Sequence, residues 1–322
     1  MPTFCRHNRF IQNCPICRAP EPPRRRAATP ASGATTRRGG ATRSARPSSG
    51  IRVRHLERAA EDGYASPLVP GLKATADAEA LADELGFATG RLTELAVAPP
   101  GLYADAGGAS DRDEGIWLAL QTVLIGPLDE SDDPFAALRE AVVPWAGGAA
   151  PAAEAIRLGP RSPFADGAAA ARGLAAVRAW LERQGGPSTA LDGDATWTAQ
   201  RRFDRLYERL GTVAGLGRAR YDALAVLGQL GLAAVEAASL HAGDRDDATL
   251  AAKRVFGIGD RLLIDRRARD LAEGAGLPIA ALDLALANHG RPPGSPRMTI
   301  GATAAAADAD ARELAAAALG VA

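Results

Sequence analysis

The sequence predicts an all-α fold. From about residue 51 to the end of the 322-residue chain, apolar side chains recur at helical spacing, and strand-type alternation is nearly absent. A hydrophobic content of 47% supports a sizeable core. All three cysteines lie in the first seventeen residues. We therefore divide the chain into a cysteine-containing segment (1–20), a linker (21–50) and a helical domain (51–322).

The first segment has the ligand spacing of a zinc knuckle. Cys5, His7, Cys14 and Cys17 form the pattern C-x-H-x6-C-x2-C. Three thiolates and an imidazole complete a tetrahedral zinc shell and leave no position for a catalytic water, so the metal would be structural. A segment this short has no core of its own, and metal binding would supply most of its folding energy. A disulfide would leave one cysteine unpaired and give His7 no role.

Charge is distributed very unevenly along a chain whose net charge is zero. Residues 1–58 contain thirteen arginines and two acidic residues, a net charge of +11, so the remaining 264 residues carry −11. The linker is rich in Pro, Ser, Thr, Gly and Arg, a composition typical of disorder. Two interpretations stay open: an arm that binds nucleic acid by counterion release, and a solvated tether.

Helix-start signals and apolar stripes divide the domain further. Thr75 is a candidate N-cap, Ser110–Asp113 resembles a capping box, and Asp133 and Thr198 mark two more starts. Helical periodicity covers the stretches 165–184, 218–230, 248–256, 260–274, 278–288 and 303–319. We predict nine or ten helices, with most aromatic residues on their buried stripes.

Two connectors place a hydrophobic residue between glycines: Gly215-Leu216-Gly217 and Gly257-Ile258-Gly259. Each lies between two predicted helices, where glycine permits a positive φ and close backbone approach. The N-terminus of the following helix favours an anion, as in a helix-hairpin-helix that binds a DNA phosphate. The flanking basic residues are Arg218 and Arg220 at the first connector and Lys253, Arg254 and Arg261 at the second. The alternative is a tight helix–helix corner with a glycine C-cap.

The cysteine–histidine start and the Lys253–Arg267 segment resemble a known enzyme family. Residues 196–290 are similar to the helix-hairpin-helix DNA glycosylase superfamily, and in particular to its α-glutamyl/putrescinyl thymine pyrophosphorylase branch. The resemblance implies an all-helical fold, DNA as the partner, and a modified pyrimidine taken out of the duplex. It also implies chemistry at the 5-substituent or the glycosidic bond of that base.

Three acidic residues are candidates near the second connector: Asp260, Asp265 and Asp283. We predict Asp265 as the catalytic residue, and each of the three is alternatively a helix cap or an ion-pair partner. The predicted function is a DNA-acting enzyme on a modified thymine or uracil. The alternatives are a non-catalytic, zinc-containing nucleic-acid-binding protein and a helical interaction protein. A pocket beside the second connector that holds a buried carboxylate would favour the enzyme.

Membrane association and secretion are not expected. The sequence has no run of 18 apolar residues and no apolar segment at its start. Cysteine is absent beyond residue 17, so disulfides would play no part. The sequence therefore predicts a cytoplasmic protein.

Overall fold

The structure is a computed structural model, and it describes residues 59–128, 133–148, 152, 156–243, 246–292, 294–295, 297–300 and 308–322. The four predicted zinc ligands, the predicted linker and residues 51–58 lie outside this part of the chain. So do residues 303–307, which the sequence assigns to the last helix. Every described residue belongs to the compact unit that spans Arg54–Ala322.

The described residues form twelve α-helices and no strand, which confirms the all-α prediction. In chain order they are α1 (Thr75–Val97), α2 (Leu102–Gly107), α3 (Arg112–Ile125), α4 (Ala136–Ala141), α5 (Gly167–Arg183), α6 (Pro187–Asp192), α7 (Ala199–Leu210), α8 (Ala219–Gln229), α9 (Asp247–Val255), α10 (Arg261–Ala275), α11 (Ile279–His289) and α12 (Ala309–Leu319). The two unexpected helices, α2 and α6, have six residues each. Both have a glycine at the N-cap position, so they lack the Ser, Thr, Asp or Asn that signals a helix start in the sequence.

The helix starts are partly as predicted. Thr198 caps α7, and its side chain accepts the Arg201 N–H at 3.2 Å. At α3 the capping side chain is that of Asp111, at the second position of the predicted capping box. The prediction for Thr75 is wrong: this residue lies one position inside α1, after Ala74. Its N–H donates to the Asp62 carboxylate at 2.9 Å, so a side chain thirteen positions away satisfies an N–H group at the start of the helix.

The core lies where α1 packs against α11 and α12, α9 against α11, and α3 against α2 and α8. Trp117, Phe203 and Phe256 are fully buried in it, as expected for aromatic residues on helical stripes. Helix α11 is buried around almost its whole circumference, and this burial includes the charged side chain of Asp283. None of the described helices combines the length and the apolar character needed to cross a bilayer.

Candidate nucleic-acid interface

The second connector is a five-residue loop between α9 and α10. Gly257 has φ +65°, a left-handed conformation that favours glycine. The loop rests against the segment before α1: the Gly71 N–H donates to the Val255 carbonyl oxygen at 2.9 Å. A Cβ at Gly71 would lie 1.8 Å from the Arg254 carbonyl oxygen. Close backbone packing therefore explains the glycine at 71, and the turn explains the glycine at 257.

Gly259 is different, because neither its conformation nor its packing requires glycine. Its φ lies outside the positive range, and a Cβ at this position would meet no atom within 4 Å. The residue is exposed, while Ile258 beside it is partly buried against the core. The outer side of the connector is thus open, and a large partner has access to it.

The N-terminus of α10 already holds an anionic group. Asp260 is the N-cap of this helix, and its carboxylate accepts the Leu263 N–H at 3.0 Å. A cap of this kind satisfies one of the unpaired N–H groups and occupies the positive end of the helix dipole. A phosphate would compete with the Asp260 carboxylate there. Any attraction for phosphate at this connector must therefore come mainly from basic side chains.

The chain around the second connector is rich in basic residues. Between Lys253 and Arg269 the chain has six basic and two acidic residues, a net charge of +4 within a domain that is acidic as a whole. Lys253 and Arg254 are partly exposed, and Arg261 is exposed. Arg254 also donates to the Gly290 carbonyl oxygen at 3.3 Å, which ties its side chain to the C-terminal end of α11.

We call the exposed part of this region the α9–α10 surface. It consists of Leu250, Lys253, Arg254, Gly259, Arg261, Leu262 and Leu263. Leu250, Lys253 and Arg254 share one face of α9 because they are three and four positions apart. Arg261, Leu262 and Leu263 form the exposed first turn of α10. The surface thus combines positive charge with exposed leucine side chains.

The first connector has a different character. Gly215 and Gly217 are exposed with φ of +87° and +47°, and Leu216 between them is buried. Arg218, a predicted DNA contact, turns inward. Its Nε donates to Asp283 at 2.9 Å and its Nη1 donates to the His241 carbonyl oxygen at 3.1 Å. The structure thus corrects the expectation that Arg218 adds charge to the surface, because the buried carboxylate of Asp283 holds it.

A buried network of four charges explains this orientation. Arg161 donates to both oxygens of Asp222, at 2.8 and 2.6 Å, and to Asp283 at 3.0 Å. Arg218 pairs with the other oxygen of Asp283. Burial raises the pKa of Asp222, while Arg161 opposes the rise. Burial alone would lower the pKa of Arg161, but the two carboxylates outweigh it and raise that pKa.

A pocket of about 310 Å³ opens beside this network. Its walls include Arg161, Gly217, Asp222, Asp247 and Asp283. The two arginines of the network are matched by its two aspartates, and Asp246 and Asp247 add further negative charge at the wall. This electrostatic balance disfavours a phosphate, although the glycines of the first connector line the pocket.

A second pocket, of about 290 Å³, lies beside the second connector, because Gly71 both lines it and contacts Gly257. Lys73, Arg254 and Glu84 line it as well. The Glu84 side chain is only 14% exposed, and its Oε1 accepts the Arg297 Nε–H at 2.8 Å.

At the wall of the same pocket, burial lowers the pKa of His289 to about 4. Its imidazole is therefore neutral at pH 7.

The sequence did not single out Glu84, since a single glutamate on an amphipathic helix carries no signal of burial.

Asp265, the predicted catalytic residue, is partly buried on α10 and lines neither of these pockets. Its carboxylate accepts the Ala242 N–H at 3.5 Å, and burial raises its pKa. Beside it, His241 has a φ of +48° and its Nε2 lies 2.8 Å from an oxygen of Asp204. The imidazole of His241 stacks on Tyr207 with ring centroids 4.1 Å apart. The hydrogen bond from Ala242 thus links Asp265 to the loop between α8 and α9.

Comparisons with known proteins identify no relative of this chain. Among the described residues, no group of three or more His, Cys, Asp or Glu side chains is arranged to hold a metal ion. The resemblance to helix-hairpin-helix glycosylases stays a prediction from the sequence. No protein-family model matches the chain, and no curated protein or solved structure is similar to it.

Proposed function

We propose that the protein binds nucleic acid, with DNA as its partner, through the α9–α10 surface and the basic N-terminal segment. One observation carries the proposal: an open Gly257–Gly259 connector lies within a stretch of net charge +4. Residues 59–322 are acidic as a whole, so a polyanion meets less repulsion at this surface than it does on average over the domain. Neutralised phosphates release counterions, which supplies most of the affinity of non-specific binding.

The N-terminal segment would add to this attraction. Its thirteen arginines precede the described part of the chain, and a zinc ion held by Cys5, His7, Cys14 and Cys17 would fold its first twenty residues. In this proposal the zinc supplies structure and no chemistry. The segment and the α9–α10 surface each contribute phosphate contacts, so their effects on affinity add.

A second candidate function is chemistry on a modified thymine or uracil, as the family resemblance implies. The observation in its favour is the pocket beside the second connector, which holds the largely buried carboxylate of Glu84. A carboxylate in a concave site is a candidate general acid or base. Asp265 supports this function less well, because its carboxylate binds the loop before α9 and lines neither pocket.

A charge-reversal experiment tests the binding proposal. The variant Lys253→Glu/Arg261→Glu changes the α9–α10 surface by four charge units. The matched control Arg172→Glu/Arg183→Glu makes the same change at two exposed arginines of α5, which packs on α3 and α6. Anisotropy of a labelled duplex at low salt should show roughly tenfold or greater weakening for the first variant and less than threefold for the second. Equal weakening would mean that net charge alone matters, and would contradict a defined surface.

A further inference from the structure

Exposed leucines are concentrated on the α9–α10 surface. Within the described residues, five large hydrophobic side chains are strongly exposed, and three of them are Leu250 (47%), Leu262 (80%) and Leu263 (49%). Single exposed apolar residues are normal on a protein surface. Two adjacent leucines at the first turn of a helix, surrounded by basic residues, form a local apolar projection instead.

These leucines do not pack in the core of the domain. The buried stripe of α10 consists of Ile264, Ala268, Leu271, Ala272 and Ala275, and neither Leu262 nor Leu263 belongs to it. Gly259, which precedes the helix, has no side chain and leaves space beside the projection. Leu262 and Leu263 therefore extend into solvent from the connector, with Arg261 next to them in the chain.

We propose that Leu262 and Leu263 insert between adjacent base pairs of DNA bound at the α9–α10 surface and bend the duplex there. The inference rests on the proposed function, since the basic side chains must first hold the phosphates. Apolar side chains that enter a base step unstack it partly, at a cost that additional protein contact offsets. Flexible pyrimidine–purine steps such as TA deform most easily, so they are the preferred sites.

The charge and shape of the surface favour DNA over a membrane as the partner. A helix that binds at a bilayer interface presents a continuous apolar face to the lipid. The apolar face of α10 is packed in the core, and only the two leucines at its N-terminal end remain outside. Two side chains suffice for a wedge in a base step, whereas they bury too little area for stable membrane binding.

The test uses the full-length chain and a duplex with 2-aminopurine next to a central TA step. This base fluoresces more strongly when it is unstacked. Saturating wild-type protein should raise its fluorescence about twofold or more, and Leu262→Ala/Leu263→Ala should abolish the rise. The double variant should keep its affinity within about tenfold, because the phosphate contacts remain. Leu314→Ala, at a residue of α12 that is 54% exposed, is the matched control and should behave as the wild type.

The outcomes separate this inference from the proposed function. Tight duplex binding with unchanged 2-aminopurine fluorescence would overturn the wedge and leave DNA binding in place. Absence of duplex binding would overturn both. A third measurement is co-sedimentation with vesicles of equal parts phosphatidylserine and phosphatidylcholine. Vesicle binding that the double variant loses would assign the leucines to a membrane and overturn the inference.

Discussion

Gly71 and Val255 are joined by a backbone hydrogen bond of 2.9 Å that holds the α9–α10 connector against the segment before α1. The backbone of Gly71 packs directly against the backbone of residues 254–257, so no side chain at position 71 fits between the two segments. Gly259, two residues beyond Gly257 in the same connector, faces open space. Gly71, which packs against the connector, and Gly259, which belongs to it, thus differ in whether they tolerate a side chain, and substitutions distinguish them.

Gly71→Ala is expected to lower the free energy of unfolding by about 3 kcal/mol, because its Cβ would overlap the Arg254 carbonyl oxygen and force the backbone apart. Gly259→Ala should leave that free energy within about 0.5 kcal/mol, since its φ is not positive and the space is empty. Gly259→Ala should nevertheless weaken duplex binding by crowding the phosphate. Urea unfolding measures the first effect and anisotropy the second. Equal stability losses for both variants would contradict the packing at Gly71.

Asp283→Ala is expected to cost about 3–5 kcal/mol, because it leaves the guanidinium groups of Arg161 and Arg218 buried without their shared partner. Glu208→Ala is the control: it removes an exposed ion pair with Arg205, and such pairs contribute about 0–1 kcal/mol. Urea unfolding of both variants gives the comparison. A cost below about 1 kcal/mol for Asp283→Ala would mean that the buried network adds little to stability.

His289 is expected to make folding stability depend on pH. Burial lowers its pKa from 6.5 to about 4 in the folded chain, although Asp77 opposes the change. Between these values the unfolded chain binds the proton and the folded chain does not, so stability is full above pH 6.5 and falls as the pH approaches 4. The loss is about 3 kcal/mol for this one residue. His289→Asn should remove that part of the slope in urea titrations between pH 4 and 7. An unchanged slope would show that the imidazole of the folded chain is as accessible to water as it is in the unfolded chain.

Zinc binding is expected at a stoichiometry of about one ion per chain, as a closed four-ligand site requires. Cys14→Ser should lose the metal, while the helical domain melts at the same temperature, because that domain has a large hydrophobic core of its own. Elemental analysis and circular dichroism measure the two effects. Full metal content in Cys14→Ser would contradict the ligand assignment.

Local signals in the sequence predicted the fold better than the site. Thr198 caps α7 because a cap depends on residues three positions apart, and helical stripes depend on similarly short spacings. The cap at α1 failed as a prediction because Asp62, thirteen positions away, takes the Thr75 N–H. Long-range pairs leave no trace of this kind in one sequence.

The inward orientation of the Arg218 side chain could not be predicted for the same reason. Its partner Asp283 lies 65 positions away, and Arg161, the other partner of that carboxylate, lies in a loop 122 positions away from it. The sequence shows the charges but not which of them are buried together. Lys253, Arg254 and Arg261 are near one connector because they are close to it in the chain, and their contact with DNA stays a prediction.

The salt dependence of duplex binding by the full-length chain tests the central claim most directly. Each phosphate contact contributes a slope of about −0.9 in a plot of log K against log salt concentration. Contacts from Lys253, Arg254 and Arg261 alone predict a slope of about −3, and the N-terminal segment makes it steeper. Deletion of residues 18–54 should flatten the slope without abolishing binding at low salt. A slope near zero, or no binding of duplex at about 50 mM salt, would contradict the account.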